Sequence, residues 1–166
     1  PGDEPEVVMI VDASGSMKQP FGNAASRLDA AKSAAATMIR ALPADVDVAL
    51  VDFVACGQVR RDRFYKGSER GALIGEIDRL APKQGTPLAD ALKRAGAVTS
   101  DSADSTLVVV SDGGDSCGGD PCAVARSIKA ASSPRPRTRP RPTAQPSSAS
   151  SCTTHSVAPS GRARAR

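Results

Sequence analysis

Blocks of apolar and polar residues alternate along the first 131 positions, and their spacing predicts strands and helices in turn. Three continuous apolar runs, at residues 6–11, 46–53 and 106–110, are typical of parallel strands buried on both faces. A shorter run with several charged positions, residues 59–64, is typical of an edge strand. These four runs predict one small sheet.

The segments between these runs have helical periodicity. Besides a long helix between the first two strands, helices are predicted at residues 69–80, 87–98 and 120–131, and the last begins at a capping aspartate followed by proline. The order β-α-β-β-α-α-β-α predicts an α/β fold with an open, doubly wound, mostly parallel sheet. The longest helix lies between the first two strands and stops at Pro43, and its apolar residues recur at helical spacing: Leu28, Ala31, Ala35, Met38, Ile39 and Leu42.

Polar loops lie at one edge of this predicted sheet. Asp12, Ser14 and Ser16 come directly after the first strand, Asp112 follows the third apolar strand, and Thr86 opens a helix. In open α/β sheets, ligands bind at the carboxyl ends of the strands, where loops from neighbouring strands converge. We therefore expect these five side chains to form one site.

Oxygen-bearing side chains of this kind suit a hard divalent cation. Mg²⁺ takes about six oxygen ligands in an octahedral array and gives up its waters reluctantly. Ser14 and Ser16 have the same parity, so an extended loop would aim both hydroxyls at one centre, and Thr86 adds a third neutral oxygen. Asp12 and Asp112 supply the charge. Two carboxylates leave the ion electron-poor, with a coordination position open to a carboxylate of a partner protein.

Each of these residues also has a plainer structural interpretation. Asp12 or Ser14 could cap the helix that follows, and Thr86, directly before a proline, stands where a helix N-cap belongs. Capping and metal binding are compatible, because a hydroxyl has two lone pairs. Asp112 with the following glycine could form an ordinary turn, and Asp115 is either an alternative ligand or a solvated loop carboxylate.

The three pieces, in this order, resemble the metal-ion-dependent adhesion site of the von Willebrand factor type A domain family. That site is written D-x-S-x-S, then a distant Thr, then a distant Asp-Gly. The segments "DASGSM", "QGTPLADAL" and "VVVSDGGDSC" carry the resemblance, which extends over residues 6–131. "CGGDPC" further resembles the bacterial, extracytoplasmic branch of the family.

The resemblance implies a Rossmann-like A-domain fold and a protein-binding module. It implies Mg²⁺, or Mn²⁺ or Ca²⁺, held by Asp12, Ser14, Ser16, Thr86 and Asp112, with the carboxylates acting partly through bound waters. The ion would then recruit an acidic side chain of a partner protein.

An enzyme is not expected from these residues. A phosphate-transferring hydrolase that uses a strand-end aspartate usually has a second Asp two residues later, where this chain has Ser14. Neither a G-x-x-x-x-G-K-[ST] nor a G-x-G-x-x-G loop occurs, and the single histidine, His155, lies beyond the patterned region.

Two alternatives to a protein-binding module are considered. The first is an A-domain regulatory subunit of an ATP-driven chelatase or MoxR-type AAA+ system, and the second is a nonfunctional A-domain fragment.

Two of the four cysteines are close in sequence. Cys117 and Cys122 bracket a turn-rich Gly-Gly-Asp-Pro, which could bring their Cα atoms within the roughly 4.4–6.8 Å that a disulfide needs. This bond is predicted, and it would join the loop of the last strand to the last helix. A zinc site would instead need Cys56, or Cys152 and His155, to converge, and Cys56 is expected to be a buried or half-buried thiol.

A disulfide would indicate an oxidising compartment, so we expect a periplasmic, secreted or cell-surface protein. The ATP-driven alternative would be cytoplasmic. No apolar stretch is long enough to cross a bilayer, and the chain opens on Pro-Gly-Asp-Glu, without an export signal or an initiator Met. A targeting segment could precede this piece, so the missing signal does not favour the cytoplasm.

Composition changes abruptly at residue 132. Residues 132–166 contain seven of the 22 basic residues and none of the 18 acidic ones, so the net charge of +4 corresponds to −3 over residues 1–131. This Arg-, Pro- and Ser-rich segment has almost no large apolar residue and is predicted to be disordered, whereas residues 1–131 form the domain. Its basic run lacks interleaved aromatic residues that could stack on bases, so no specific nucleic-acid partner is expected.

An A domain normally continues at this point with two more core strands and their helices. The abrupt switch to Arg, Pro, Ser and Ala favours a frameshifted or otherwise aberrant continuation, in which the sheet lacks its last strands.

Overall fold

Strands and helices alternate along the computed structural model, which describes residues 4–99 and 104–132. Their order agrees with the order predicted from the hydrophobic pattern, with short 3₁₀ turns added at Gly15–Lys18 and Gly67–Glu69. The strands are β1 (Glu6–Val11), β2 (Asp47–Ala55), β3 (Gln58–Tyr65) and β4 (Ser105–Val110), and the helices are α1 (Arg27–Ala41), α2 (Arg70–Asp78), α3 (Leu88–Gly96) and α4 (Pro121–Ser132).

β1 lies inside a sheet whose strand order, among the described residues, is β3-β2-β1-β4. It pairs in parallel with β2 on one side and with β4 on the other, and β3 forms an antiparallel hairpin with β2. Val8 and Ile10 of β1 are fully buried, as expected for a strand covered on both faces. Val11 lies opposite Val110, so the carboxyl ends of β1 and β4 are side by side.

The apolar core has one layer on each face of the sheet. α1 and α2 pack against the face that carries Met9 and Val11, whereas α3 and α4 cover the face that carries Val8 and Ile10. Four of the six positions predicted for the inner face of α1 are buried, and the other two are partly buried: Leu28, Ala31, Ala35 and Ile39, then Met38 and Leu42.

Two helix starts follow the expected capping chemistry. Ser26 caps α1 by accepting a hydrogen bond from the Asp29 amide (3.1 Å). The predicted cap of α4 is confirmed, since Asp120 Oδ1 accepts a hydrogen bond from the Ala123 amide (2.9 Å).

β4 differs from its prediction. The pattern of residues 106–110 predicts a strand buried on both faces, but β4 is only partly buried and Val109 is 41% exposed. Among the described residues β4 pairs only with β1, and α4 packs mainly against α3. The apolar composition of β4 therefore exceeds what its edge position in this sheet requires.

Residues 133–166 make up most of the segment predicted to be disordered, and they lie outside the described residues. Cys152 and His155 belong to this range. Within residues 4–99 and 104–132, every helix is too short or too polar to span a membrane.

Candidate metal centre

The loops that follow β1 and β4 meet at one edge of the sheet. The Asp12 amide donates a hydrogen bond to the Val110 carbonyl (2.8 Å), which extends the parallel ladder by one residue. A third segment, residues 81–87, reaches the same edge from the connection between α2 and α3, because the Lys83 amide donates to the Ala13 carbonyl (2.6 Å). The parallel pairing thus brings three loops that are distant in sequence to one place.

Asp12 is fully buried, and both of its carboxylate oxygens accept hydrogen bonds. Oδ1 accepts from the Ser14 amide (2.7 Å), and Oδ2 accepts from the Ser111 hydroxyl (2.6 Å). Both donors are neutral. No Lys or Arg in residues 4–99 or 104–132 forms an ion pair with Asp12.

A chain of hydroxyl groups links Ser14 to Asp112. Ser16 Oγ donates to Asp112 Oδ1 (2.8 Å), and the Oγ atoms of Ser14 and Ser16 are 3.0 Å apart. A hydroxyl has one proton, and Ser16 donates its proton to the carboxylate, so Ser14 is the donor between the two serines. Both serine oxygens keep lone pairs that a cation could use.

Helix capping does not explain these hydroxyls. Ser14 precedes the 3₁₀ turn at Gly15–Lys18, but its side chain makes no capping hydrogen bond there, and Ser26 caps α1. Pro87, and not Thr86, is the N-cap residue of α3. Thr86 is only 7% exposed, yet its hydroxyl forms no hydrogen bond with any residue that the structure describes.

Thr86 is held in place through its backbone. Its amide donates to Ser116 Oγ (2.8 Å), and its carbonyl accepts from the Ser116 amide (3.1 Å), so it is fastened to the loop after β4. Gly85 has a φ of +81°, and a Cβ there would lie 2.9 Å from Cys56 Sγ. Only glycine tolerates both conditions. The segment that carries Thr86 is therefore tightly packed against the site.

Three of the four buried polar residues in the described part of the chain belong to this edge, namely Asp12, Ser14 and Thr86. The fourth, Asp52, shows how a buried carboxylate is usually balanced. It accepts hydrogen bonds from Arg60 Nε (3.1 Å) and Nη2 (3.0 Å) and lies 3.7 Å from Lys83 Nζ. Burying a carboxylate without a counter-charge costs several kcal/mol. The neutral surroundings of Asp12 therefore suit a cation.

Arg27 is a member of the site that no sequence motif indicates. It is the first residue of α1, and its Nη1 donates to Asp112 Oδ2 while Ser16 occupies Oδ1. Its place at the start of the helix after β1 is the only sequence signal, since a helix that follows a strand begins near the carboxyl end of that strand.

Asp115 accepts backbone hydrogen bonds on both carboxylate oxygens. Its Oδ1 accepts from the amides of Cys117 (2.7 Å) and Gly119 (2.9 Å), and its Oδ2 accepts from the Ala89 amide (2.8 Å). Burial raises the pKa of Asp115, but these backbone hydrogen bonds outweigh it and hold the pKa below its ordinary value. Asp115 thus ties the loop after β4 to the start of α3.

The predicted disulfide between Cys117 and Cys122 is wrong, because Cys117 is bonded to Cys56, with a Cα–Cα distance of 5.4 Å. Cys56 was predicted to be a free thiol, and this prediction is also wrong, because Cys56 forms the disulfide with Cys117. The turn between β2 and β3 lies at the same edge of the sheet as the loop after β4, which brings together cysteines 61 residues apart. Closeness in sequence did not identify the disulfide partner of Cys117. The position of Cys56 directly after β2 was the feature of the sequence that could have indicated it.

The donor set fits a hard divalent cation better than zinc. No three His, Cys, Asp or Glu side chains converge within the described residues, so a zinc cage has no ligands there. The oxygens gathered at this edge come instead from two carboxylates and three hydroxyls, the ligand types that Mg²⁺ prefers. Hydrogen bonds link four of the five predicted ligands, namely Asp12, Ser14, Ser16 and Asp112, and Thr86 lies on the third segment at the same edge.

Comparison with known proteins gives one family. The family model of the von Willebrand factor type A domain matches residues 7–114, whereas no curated protein sequence matches the chain. A solved von Willebrand factor type A structure from Catenulispora acidiphila is 27% identical with a TM-score of 0.63, over 76% of this chain and 30% of that one. The type V pili tip protein from Porphyromonas gingivalis is 28% identical with a TM-score of 0.54, over 66% of this chain and 20% of that one.

An aerotolerance-related membrane protein from Bacteroides fragilis is 23% identical with a TM-score of 0.64, over 76% of this chain and 62% of that one. At that identity the likeness shows the fold alone. The chain spans less than two thirds of the length of each of these three structures. Because the family model matches more than half of the residues of this chain, the chain belongs to the von Willebrand factor type A domain family.

Proposed function

We propose that this A domain is a metal-ion-dependent protein-binding module. It holds Mg²⁺, or Mn²⁺ or Ca²⁺, through Asp12, Ser14, Ser16, Thr86 and Asp112. The ion recruits an acidic side chain of a partner protein.

The contrast between two buried carboxylates carries this proposal. Asp52 has Arg60 and Lys83 beside it, whereas Asp12 has only an amide and a hydroxyl donor. The Thr86 hydroxyl supports the same conclusion, since it forms no hydrogen bond with a described residue and its oxygen is available to a cation. A cation at this edge would use both groups.

The residues of the chain have separate roles in this proposal. Asp12 and Asp112 provide negative charge, and Ser14, Ser16 and Thr86 provide neutral oxygens. When bound, the ion supplies a positive charge with a position that a carboxylate oxygen can fill. The few carboxylates keep that charge strong, while the hydroxyl chain fixes the spacing of the serine oxygens.

The Cys56–Cys117 bond supports an extracytoplasmic location, since disulfides persist in the periplasm, outside the cell and at its surface. The similar pili tip protein supports a role in surface attachment. The same bond argues against the ATP-driven chelatase or MoxR-type alternative, which works in a reducing cytoplasm.

Thermal unfolding of the full chain tests the metal site. After dialysis against EDTA, Mg²⁺ at one hundred times its Kd should stabilise the wild type by about 2.7 kcal/mol, a Tm rise of roughly 5–10 °C. Asp12→Asn should abolish this rise. Asp45→Asn is the matched control, because Asp45 is exposed and precedes β2 at the opposite edge of the sheet.

Equal Mg²⁺ responses in the wild type and Asp12→Asn would refute the site. A pull-down with and without EDTA extends the same comparison to the partner. A protein captured by the wild type in Mg²⁺, and lost with EDTA or Asp12→Asn, is the expected result.

A further inference from the structure

A cationic side chain already contacts the proposed metal site. Arg27 Nη1 donates to Asp112 Oδ2, and the two side chains are 38% and 13% exposed. Asp112 Oδ1 accepts from Ser16 at the same time. One of the two proposed charged ligands, Asp112, is therefore already paired with a positive charge of the chain, whereas Asp12 has no such partner among the described residues.

The backbone places Arg27 at this position. Its amide donates to the Gln19 carbonyl (2.8 Å), and Ser26 caps the helix directly before it. The guanidinium is a planar, positively charged group whose N–H donors match the geometry of a carboxylate. In this pair the Asp112 side chain is largely buried, whereas the Arg27 side chain is partly exposed.

We propose that Arg27 competes with the divalent cation for Asp112 and so sets the affinity of the site. The proposal rests on the function proposed above. A positive charge beside Asp112 repels a second cation and takes up part of the carboxylate that the cation would use. For the same reason, an ion bound next to Arg27 attracts an anionic partner more strongly. Arg27 thus lowers the affinity of the site for the cation and strengthens the attraction between the occupied site and the acidic side chain of the partner.

Calorimetric titration of the full chain with Mn²⁺ or Mg²⁺ alone, at low ionic strength, tests this role. Arg27→Gln should bind the cation on the order of tenfold more tightly than the wild type, because one repulsive charge is removed. Arg27→Lys keeps the charge and should stay close to the wild type. High salt should shrink the difference between the wild type and Arg27→Gln.

Arg40→Gln is the matched control. It removes the same charge from the same helix, but thirteen residues further along α1, about 20 Å away. Its cation affinity should equal that of the wild type. Arg27→Met is a second neutral variant, and metal-free circular dichroism and Tm show that each variant folds.

The outcomes separate the two proposals. Unchanged or weaker cation binding in folded Arg27→Gln and Arg27→Met, with binding still abolished by Asp12→Asn, overturns the role of Arg27 and leaves the metal site standing. Absence of specific binding in the wild type and in both neutral variants overturns both proposals. Binding that appears only in the neutral variants supports the competition in its strongest form.

Discussion

Single oxygen atoms decide what the candidate site can bind. Asp12 has both oxygens engaged by neutral donors, Asp112 shares its oxygens between Ser16 and Arg27, and the Thr86 hydroxyl has no partner in the described chain. These differences cannot be seen in the residue types, since two aspartates that look equivalent in the sequence have different electrostatic surroundings. Each side chain can therefore be tested separately.

Thr86→Val should separate metal binding from packing. Valine has the same shape as threonine, and the Thr86 hydroxyl forms no hydrogen bond with a described residue. The metal-free free energy of unfolding should therefore change by less than about 0.5 kcal/mol. The Mg²⁺-induced rise in Tm should fall sharply, and Thr86→Ser, which restores the hydroxyl, should recover it. A full Mg²⁺ response in Thr86→Val would remove Thr86 from the ligand set.

Asp115→Asn should destabilise the domain in a pH-dependent way. The carboxylate accepts three backbone amides, so losing its charge and one acceptor oxygen should cost about 1–3 kcal/mol at neutral pH. Its folded pKa lies below the reference value of 3.8, so its contribution is complete above that pH and is lost as pH falls through the folded pKa. Urea unfolding should show the gap between wild type and variant closing in acid. A gap that is constant down to about pH 2 would contradict this account.

At the scale of elements, the site depends on loops fastened to one another. The Cys56–Cys117 bond connects the turn between β2 and β3 to the loop after β4. Gly85 lies against this bond, because a Cβ there would be 2.9 Å from Cys56 Sγ and 3.4 Å from Cys117 Sγ. The disulfide therefore supports the segment of Thr86 as well as the loop of Asp112.

Removing this disulfide with Cys56→Ala/Cys117→Ala should lower stability and weaken the response to Mg²⁺. The bond spans 61 residues, and a loop of that length corresponds to about 4 kcal/mol in the chain-entropy model. Denaturant unfolding and Mg²⁺ titration of the double variant measure both effects. Peptide mapping of the unreduced wild type provides the check on connectivity, and a peptide joining Cys117 to Cys122 would contradict the assignment.

At the scale of the whole molecule, the sheet places the site and leaves β4 at an edge. β1 is flanked by parallel strands on both sides, so the loop after β1 lies beside the loop after β4 at the carboxyl ends of the strands. β4 carries an apolar sequence at the edge of the described sheet, with Val109 exposed.

Much of this architecture could be predicted from local pattern. The order of strands and helices followed from apolar periodicity, because burial on one or both faces is recorded in the spacing of side chains along a few neighbouring residues. The convergence of three loops followed from topology, since parallel strands end at the same edge. Helix ends were less well placed, as α2 and α3 are each three residues shorter than predicted.

The remaining features came from contacts between distant residues. Cys117 bonds a cysteine 61 positions away instead of one five positions away, and Asp112 pairs with an arginine 85 positions away. The partner of a cysteine or a carboxylate depends on distances in the folded chain, which periodicity does not record. Residue types in the sequence were therefore enough to indicate the fold, its family and a candidate cation site. The three-dimensional packing was needed to show which charge at that site is balanced, because only packing brings a counter-charge to one aspartate and withholds it from the other.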